Sequence, residues 1–542
     1  MRKHLEPRRY LIEFSSAALP HVFTDVLVIG SGVAGLGAAL TAAASPAQPD
    51  VLVICKDALD ETSTSHAQGG IAVALDPADS PDAHFRDTLQ AGYGLCHPDV
   101  VRAVVTEGPE RIRELMAWGA HFDRRNDHFD LAHEGGHCQP RIIHARGDST
   151  GAEVQDILLR RVRATPRIRV LEYTFAIDLL TQNNTCLGVL VHSRERGLLL
   201  IWAAQTILAT GGAGQVYRET TNPEVATGDG LAMAYRAGAQ IRDLEFVQFH
   251  PTTLYLAGAR RILITEAVRG AGAVLRNRYG ERFMPAYHEA AELAPRDVVS
   301  RAILAETHRT GDTNVYLDLT HLPPQVVDHH FPRLHQLREE FDLDPLRDLI
   351  PVFPSAHYMV GGVTVDVEAR TTVQNLLACG EVASTGLHGA NRLGSNSLLE
   401  GLVFGVRAGR TAASTITPNA SPHAVPRLES HLVPRQAHID LVDVSNSLKS
   451  VMWRHVGLER SEKTLADAEE RIDFWCSYVL NNVFEHPAGW TLQNLLTIAK
   501  LITVGARRRQ ESRGCHYRTD FPHPDDKHWK HHNVIQRPIA GD

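Results

Sequence analysis

The run Asp25-Val-Leu-Val-Ile-Gly30 is apolar at successive positions, the pattern of a short buried strand. An alanine-rich stretch follows and reads as a helix, and Val51–Cys55 supplies a second apolar strand. Together the three form a βαβ unit at the start of the fold. Apolar runs recur at Thr206–Ala209 and Leu376–Cys379, each ending in glycine. They read as further strands of the same sheet, reached after long excursions. From 245 to 355 the texture changes: Arg, His and Pro are frequent and strand-like runs are fewer, as expected of a second domain inserted into the first. Proline and serine cluster over 415–437, the composition of a linker. Residues 440–515 carry helical spacing, for example Leu448, Val451, Met452 and Val456, and predict a C-terminal helical domain. Beyond 519 the chain is polar and rich in His and Pro, and no internal repeat occurs.

The expected division is an N-terminal tail over 1–24, a discontinuous nucleotide-binding domain over 25–244 and 356–420, a capping domain over 245–355, and a helical domain with a polar tail over 421–542. A chain of 542 residues exceeds one compact core, in keeping with two or three domains. The longest apolar run, around Ala34–Ala44, is broken by glycine and falls short of the roughly 20 residues of a membrane helix. No secretory signal core follows the N-terminal charges. A formal charge of −8 confines any nucleic-acid role to a local patch. Arg507, Arg508 and Arg509 are the candidates, and a solvated helix face or internal ion pairs account for them as well. The seven cysteines are scattered, with no C-x-x-C pair. That argues against a disulfide framework and against iron–sulfur or structural zinc sites, and for a reducing cytoplasm.

Gly30-Ser31-Gly32-Val33-Ala34-Gly35 follows a strand and opens a helix. The first glycine allows the tight turn, the second lets backbone approach a pyrophosphate, and the third lets helix pack on strand. The phosphate charge then rests on the helix N-terminus. The acid usual at the end of the second strand is missing: Lys56 follows Cys55. Lys56 either meets the cofactor, through its charge or its backbone, or is an exposed loop lysine. Two more strand ends, Ala209-Thr210-Gly211-Gly212 and Gly380-Glu381, favour FAD over NAD, because FAD is longer and lies extended across several strand ends. Glu381 then holds ribityl hydroxyls, or else is an acid at a helix start. Asn396-Ser397-Leu398 opens a helix whose positive end suits charge on a reduced flavin ring. The fold class is α/β: a Rossmann-like FAD-binding domain, an inserted α+β capping domain and a C-terminal helical domain.

Further segments carry a resemblance. They are Ala67-Gln68-Gly69-Gly70, Thr227–Gly230, Gln248–Thr252, Thr265–Gly270, Pro295–Asp297, His357-Tyr358, Gly361-Gly362, His388–Arg392 and Ser512–Gly514. In this order they resemble the fumarate reductase, succinate dehydrogenase and L-aspartate oxidase flavoproteins over nearly the whole chain. The resemblance implies cofactor contacts from Ser63, Thr64, Ser65, His66, Ala67–Gly70 and Asp229. The chemistry also stands alone. A dicarboxylate must be gripped at both ends, and Arg296 and Arg392 suit bidentate carboxylate binding. His250 and His357 orient the substrate, and Thr252 and Thr265 supply hydroxyls. Carried over from the family, Arg296 is the proton donor or acceptor. Arginine normally stays protonated, so a nearby carboxylate, Glu266 or Asp297, has to ease exchange.

Two departures choose among family members. The succinate dehydrogenases and membrane-bound fumarate reductases resemble one another in a histidine, five positions before the glutamine of Ala-Gln-Gly-Gly, that bonds FAD covalently. Here that position is Ser63, and His66 is out of register, so FAD is expected to be noncovalent. Second, His133-Glu134-Gly-Gly-His137, followed by Arg141, His144, Asp148, Thr150 and Gly151, looks like the aspartate-oxidising version. Glu134 complements a substrate ammonium and disfavours succinate, or else is a surface acid beside a turn. The same segment matches H-E-x-x-H, but a zinc site of that kind needs a helix, and two glycines cost about 1 kcal/mol each there. No metal is expected, and His528, His531 and His532 read as a solvated tail. The implied reaction is oxidation of L-aspartate to iminoaspartate with dioxygen or fumarate as acceptor, the product passing to quinolinate synthase in NAD biosynthesis. No nucleic-acid or membrane partner is expected. The rivals are a soluble fumarate reductase or succinate dehydrogenase flavoprotein and a non-catalytic FAD-binding module.

Overall fold

The computed structural model describes residues 8–259, 261–416, 425–432 and 439–537. The first apolar run belongs to strand β1 (His21–Ile29), whose residues 26–29 are buried. Helix α1 (Val33–Ala43) follows, then β2 (Val51–Ile54). β2 lies parallel to β1 and to β3 (Ile168–Leu171). Strands β4 (Thr174–Gln182), β5 (Thr185–Ser193) and β6 (Gly197–Leu208) form an antiparallel meander whose last strand returns parallel to β1. The order across the sheet is β3-β2-β1-β6-β5-β4. Parallel central strands are covered on both faces, which explains why they read as unbroken apolar runs.

Of the expected N-terminal tail, the described residues 8–24 are not simply a tail. Leu11, Ile12 and Phe14 join the main core, Phe14–Ser15 pairs with Glu429–Ser430, and β1 begins at His21. The run Tyr10-Leu11-Ile12-Glu13-Phe14 is too short to announce an element by its periodicity. Its anchor is Asp178 on β4, whose carboxylate accepts from the Leu11 N–H at 2.8 Å and from Arg236 Nε at 2.7 Å. Arg236 ends helix α2 (Asp229–Arg236), and both partners of the ion pair are fully buried. Removing one member of a buried pair strands the other charge. Asp178→Ala should therefore cost about 3–5 kcal/mol, read as a lower urea midpoint.

The capping segment has its own core, running from Leu254 to Val352. It is built on a four-stranded antiparallel sheet rather than on few strands: β7 (Val247–Leu254), β8 (Val274–Arg276), β9 (Val315–Asp318) and β10 (Ile350–Met359), ordered β7-β10-β9-β8. β8 and β9 are short, and β10 contains Pro351 and Pro354, which disguise it as loop. Helix α3 (Arg296–Thr310) precedes β9, and the short helix α4 (Pro324–His330) follows it. The chain then re-enters the main sheet as β11 (Leu376–Ala378), parallel to β6.

Helix α5 (Asn396–Ser414) packs on α1 through small residues. A Cβ on Gly405 would lie 2.6 Å from the Ala34 carbonyl oxygen, and one on Gly409 2.3 Å from that of Ala38. The alanine content of α1 thus reflects close helix packing. Helices α6 (Leu441–His455), α7 (Glu462–Val479) and α8 (Pro487–Arg508) form the helical part, and Leu448, Val451, Met452 and Val456 enter the main core. The expected linker and domain limit near 420 fall largely outside the described residues. Arg507 pairs with Glu462 and Glu469, and buried Arg509 pairs with Glu245 and Glu511, so two of the three arginines serve internal ion pairs. The polar tail is docked: Val534–Ile535 pairs with Ile241–Arg242, and His532 bonds to Asp243 at 2.5 Å. Among the described residues no helix is long and apolar enough to cross a membrane.

Candidate active site

The strand ends of the main sheet open into one cleft of about 1820 Å³, counting its mouth. Gly30, at φ +116°, makes the first turn: a Cβ there would lie 2.1 Å from the Ala209 carbonyl oxygen. A Cβ on Gly35 would lie 2.1 Å from the Gly30 carbonyl oxygen, so Gly35 serves the packing of α1 on β1 and does not line the cleft. Gly30, Ser31, Gly32, Val33 and Ala34 do line it, and Thr64 Oγ1 accepts from the Val33 N–H at 3.0 Å. The wall continues through Lys56, Ser63, Thr64, His66, Ala67, Gln68, Gly69, Gly70, Ala209, Thr210, Gly211, Asp229, Gly380, Glu381, Ser397 and Leu398. Thr210 Oγ1 is buried there without a hydrogen-bond partner. A glycine-turned helix N-terminus, three further strand ends and an orphaned hydroxyl along one groove fit an extended dinucleotide such as FAD.

Four of the expected cofactor residues lie off the cleft: Gly35, Ser65, Gly212 and Asn396. Ser65 lies outside the cleft lining and donates to the carbonyls of Asp60 and Thr62. Gly212 packs beneath Glu381, and Asn396 is bonded behind the cleft to His84 and Thr88. Lys56 is not an exposed loop lysine: its ammonium donates to Asp229 at 2.6 Å and Thr227 at 2.5 Å. Asp229 also accepts from Asn494, and these partners hold its carboxyl low despite burial. Glu381 accepts from the Met359 N–H at 2.9 Å, and burial raises its pKa to about 7.

The inner end of the cleft is lined by His250, Thr265, Glu266, Arg296, His357, Tyr358 and Arg392. Antiparallel β7 and β10 bring His250 and His357 to 5.1 Å between ring centres. Arg296 opens α3 just after Pro295, and Arg392 lies on the loop before α5. Two guanidinium groups face this pocket, and Gln248 separates them. Its Oε1 accepts from Arg392 at 2.9 and 3.2 Å and from Arg296 at 3.4 Å, while its Nε2 holds Asn391 and the Arg392 carbonyl. Arg392 also sits 4.3 Å above the Tyr358 ring and donates to Ser397 at 2.8 Å. Burial and the Arg296 charge push Arg392 down to about 10. Burial and the two arginines hold His250 and His357 well below the usual histidine range, so both are neutral at pH 7.

The carboxylates divide their roles. Glu266 meets Arg296 Nε at 2.5 Å and Arg269 at 3.4 Å. Burial alone would raise its pKa, but the two arginines hold it at about 2. Glu134 is 1% exposed, and one oxygen accepts from Ser395 at 2.8 Å. Its other oxygen, Oε1, is buried with no partner. Burial, and then the Glu266 charge, raise Glu134 to about 7. Glu134 does not line the cleft itself, but a Cβ on Gly394 would touch Glu134 at 2.7 Å, Arg296 at 3.3 Å and Glu266 at 3.5 Å, so all three meet at one point. Thr252, expected at the substrate, instead donates its hydroxyl to the Ile264 carbonyl and its N–H to His250 Nδ1. It holds His250 from behind. Asp297, the second carboxylate considered for proton exchange, is bonded to Tyr93, Arg301 and Asn391 instead.

His133–His137 forms a turn, not a helix, so its two imidazoles do not share a helix face. His133 bonds to the His137 carbonyl, and His137 bonds to the Gly394 carbonyl at 3.0 Å. Buried Arg141 braces the segment through Asp79 and Asp87. Sequence reasoning missed Gln248 and Tyr358 as working residues. The alternation in β7 points to Gln248: Val247 and Phe249 enter the core while Gln248, His250 and Thr252 take the other face.

Residues 25–398 match the family model of an FAD binding domain, and 445–541 match the fumarate reductase flavoprotein C-terminal model. An L-aspartate oxidase of Streptomyces coelicolor is 43% identical over 541 residues, covering 95% of this chain and 92% of that protein. The chain belongs to the L-aspartate oxidase family. The Arabidopsis thaliana L-aspartate oxidase of chloroplasts is 45% identical, covering 92% of this chain and 81% of its own. Among solved structures, E. coli quinol fumarate reductase aligns with a TM-score of 0.87 at 30% identity, covering 97% of this chain and 96% of that one. Mycobacterium smegmatis Sdh1 aligns at 0.80 and 32%, covering 96% and 94%. The expected α/β fold and FAD cofactor are borne out, and the chain is an FAD-dependent oxidoreductase.

Proposed function

We propose that the chain oxidises L-aspartate to iminoaspartate, with dioxygen, giving hydrogen peroxide, or fumarate as electron acceptor. The carrying observation is the orphaned Glu134 oxygen. It is buried beside a pocket whose other carboxylate, Glu266, is already paired with Arg296 and Arg269, and it matches an ammonium group. Succinate has no such group, which disfavours the rival reading as a fumarate reductase or succinate dehydrogenase flavoprotein. A non-catalytic module would leave the whole inner constellation without purpose.

FAD, held along the cleft by the Gly30–Ala34 turn and the strand ends at Lys56, Thr210 and Gly380, would supply a two-electron acceptor for the substrate α-hydrogen. The chain's own residues do the rest. Arg392 and Arg296 hold the two carboxylates as paired donors. His250 and His357, kept neutral, add hydrogen bonds without competing charge. Gln248 keeps the guanidiniums apart so that each faces substrate. The Arg296–Glu266 pair, closed at 2.5 Å, is placed to relay the proton that the substrate nitrogen gives up as the C=N bond forms, and the proton that carbon takes when fumarate is reduced. Iminoaspartate is the product handed to quinolinate synthase, the first step of de novo NAD biosynthesis. All seven cysteines are free, which supports a reducing cytoplasm.

FAD is held without a covalent bond in this reading. Ser63 stands where the covalent histidine would be, and His66 is turned to Glu61 at 3.0 Å. Acid precipitation of the purified protein should leave the flavin in the supernatant; flavin in the pellet would count against noncovalent binding. The reaction itself is tested by aerobic turnover. L-Aspartate should yield one peroxide per substrate consumed and succinate none, whereas peroxide from succinate alone would return the chain to the rival class.

A further inference from the structure

Outside the cleft, one group of side chains has no assigned work. Asp130, His329 and His330 each offer a ligand atom, and the three atoms lie within 4.8 Å of one another. Among the described residues they are the one such trio. Asp130 lies on the loop that leads, three residues on, into His133-Glu134. The two histidines end α4, which Val327 and Phe331 anchor in the capping core. Packing between the two parts is tight here: a Cβ on Gly147 would lie 3.1 Å from the His329 carbonyl oxygen, and the Arg333 side chain bonds to Ser149.

We propose that Asp130, His329 and His330 bind a divalent transition-metal ion, zinc in the first place, between the flavin domain and the capping domain. Two imidazoles and a carboxylate, completed by water, are an ordinary zinc ligand set. Ligand lengths of about 2.0–2.2 Å put tetrahedral ligand atoms roughly 3.4 Å apart. Side-chain rotation closes the remaining distance, since His329 is exposed and His330 is 42% exposed.

The ligand atoms are also uncommitted. His330 Nδ1 stands 3.9 Å from the Asp130 carboxylate, too long for a hydrogen bond. Several histidine–carboxylate pairs elsewhere are closed by short bonds, as in His532–Asp243 at 2.5 Å, His388–Glu400 at 3.0 Å and His335–Asp328 at 3.1 Å, whereas His321–Asp318 stands open at 3.9 Å like the trio. His144, whose imidazole feels the charges of Asp130 and His330, keeps a buried Nε2 with no partner. An ion at the trio ties the segment carrying Glu134 to the domain carrying Arg296.

The test is calorimetric titration of untagged holoprotein with Zn²⁺. One ion per chain is expected, with affinity reduced at least tenfold in both Asp130→Asn and His330→Ala. His528→Ala, at an exposed histidine elsewhere, should bind as the parent does, and all three variants should keep full flavin content. X-ray absorption at the zinc edge should show imidazole and oxygen neighbours. No binding, parental affinity in either Asp130→Asn or His330→Ala, or sulfur in the zinc shell would overturn the proposal.

Discussion

Arg296→Leu is expected to lower kcat for both L-aspartate oxidation and fumarate reduction by about 10³-fold. Positioned proton transfer contributes on the order of 10²–10⁴-fold, and the substitution also removes one of the two carboxylate anchors. The loss should fall on both reactions because the Arg296–Glu266 pair serves proton transfer whichever way electrons flow. The variant leaves Glu266 buried with Arg269 as its remaining cation, at 3.4 Å. Some stability is therefore lost, and flavin content has to be measured beside the rate. Arg296→Lys separates the two contributions, since it restores a positive charge without the paired fork that reaches Glu266 and Gln248 together. It should recover binding, seen as KM, more than kcat. A holoprotein of Arg296→Leu that keeps more than a tenth of the parental rate would remove Arg296 from the proton route.

Glu134→Gln is expected to separate the two substrates. Losing one partner of a buried charge pair costs roughly 2–5 kcal/mol, so kcat/KM for L-aspartate should fall at least about 30-fold. Fumarate carries no ammonium, and its reduction should stay within about threefold of the parent. The pH profile gives an independent reading. In the free protein burial raises Glu134 to about 7. Only the ionised form complements the ammonium, so kcat/KM for L-aspartate should decline as pH falls below about 7. Fumarate reduction should lack the limb that belongs to Glu134, and the glutamine variant should lose it for L-aspartate. Equal losses for the two substrates would take specificity away from this residue.

What could be read from the sequence, and what could not, follows the range of each interaction. The Gly30–Gly35 turn, the strands after it and the start of α5 are local patterns, in which neighbouring residues carry all the information. The inner site is different. Gln248 takes its role only in the folded chain, where it lies between Arg392 and Arg296, 144 and 48 positions away. Lys56 could be seen to break the usual pattern, but its partner Asp229 lies 173 positions on. The docking of Leu11 on Asp178 and of His532 on Asp243 are contacts of the same kind, and neither leaves periodicity in the chain. Family resemblance supplied Arg296, His250, His357 and Arg392 together; charge and spacing alone reach a flavoenzyme for a small anion. Thr252 shows the limit of that transfer, because its hydroxyl is committed to the Ile264 carbonyl.

Anaerobic mixing of the holoprotein with L-aspartate, followed by flavin absorbance, reaches the central claim most directly, since it reports electron transfer from substrate before any acceptor is involved. The flavin band should bleach with L-aspartate and persist with succinate. Bleaching by succinate with none by L-aspartate would contradict the account.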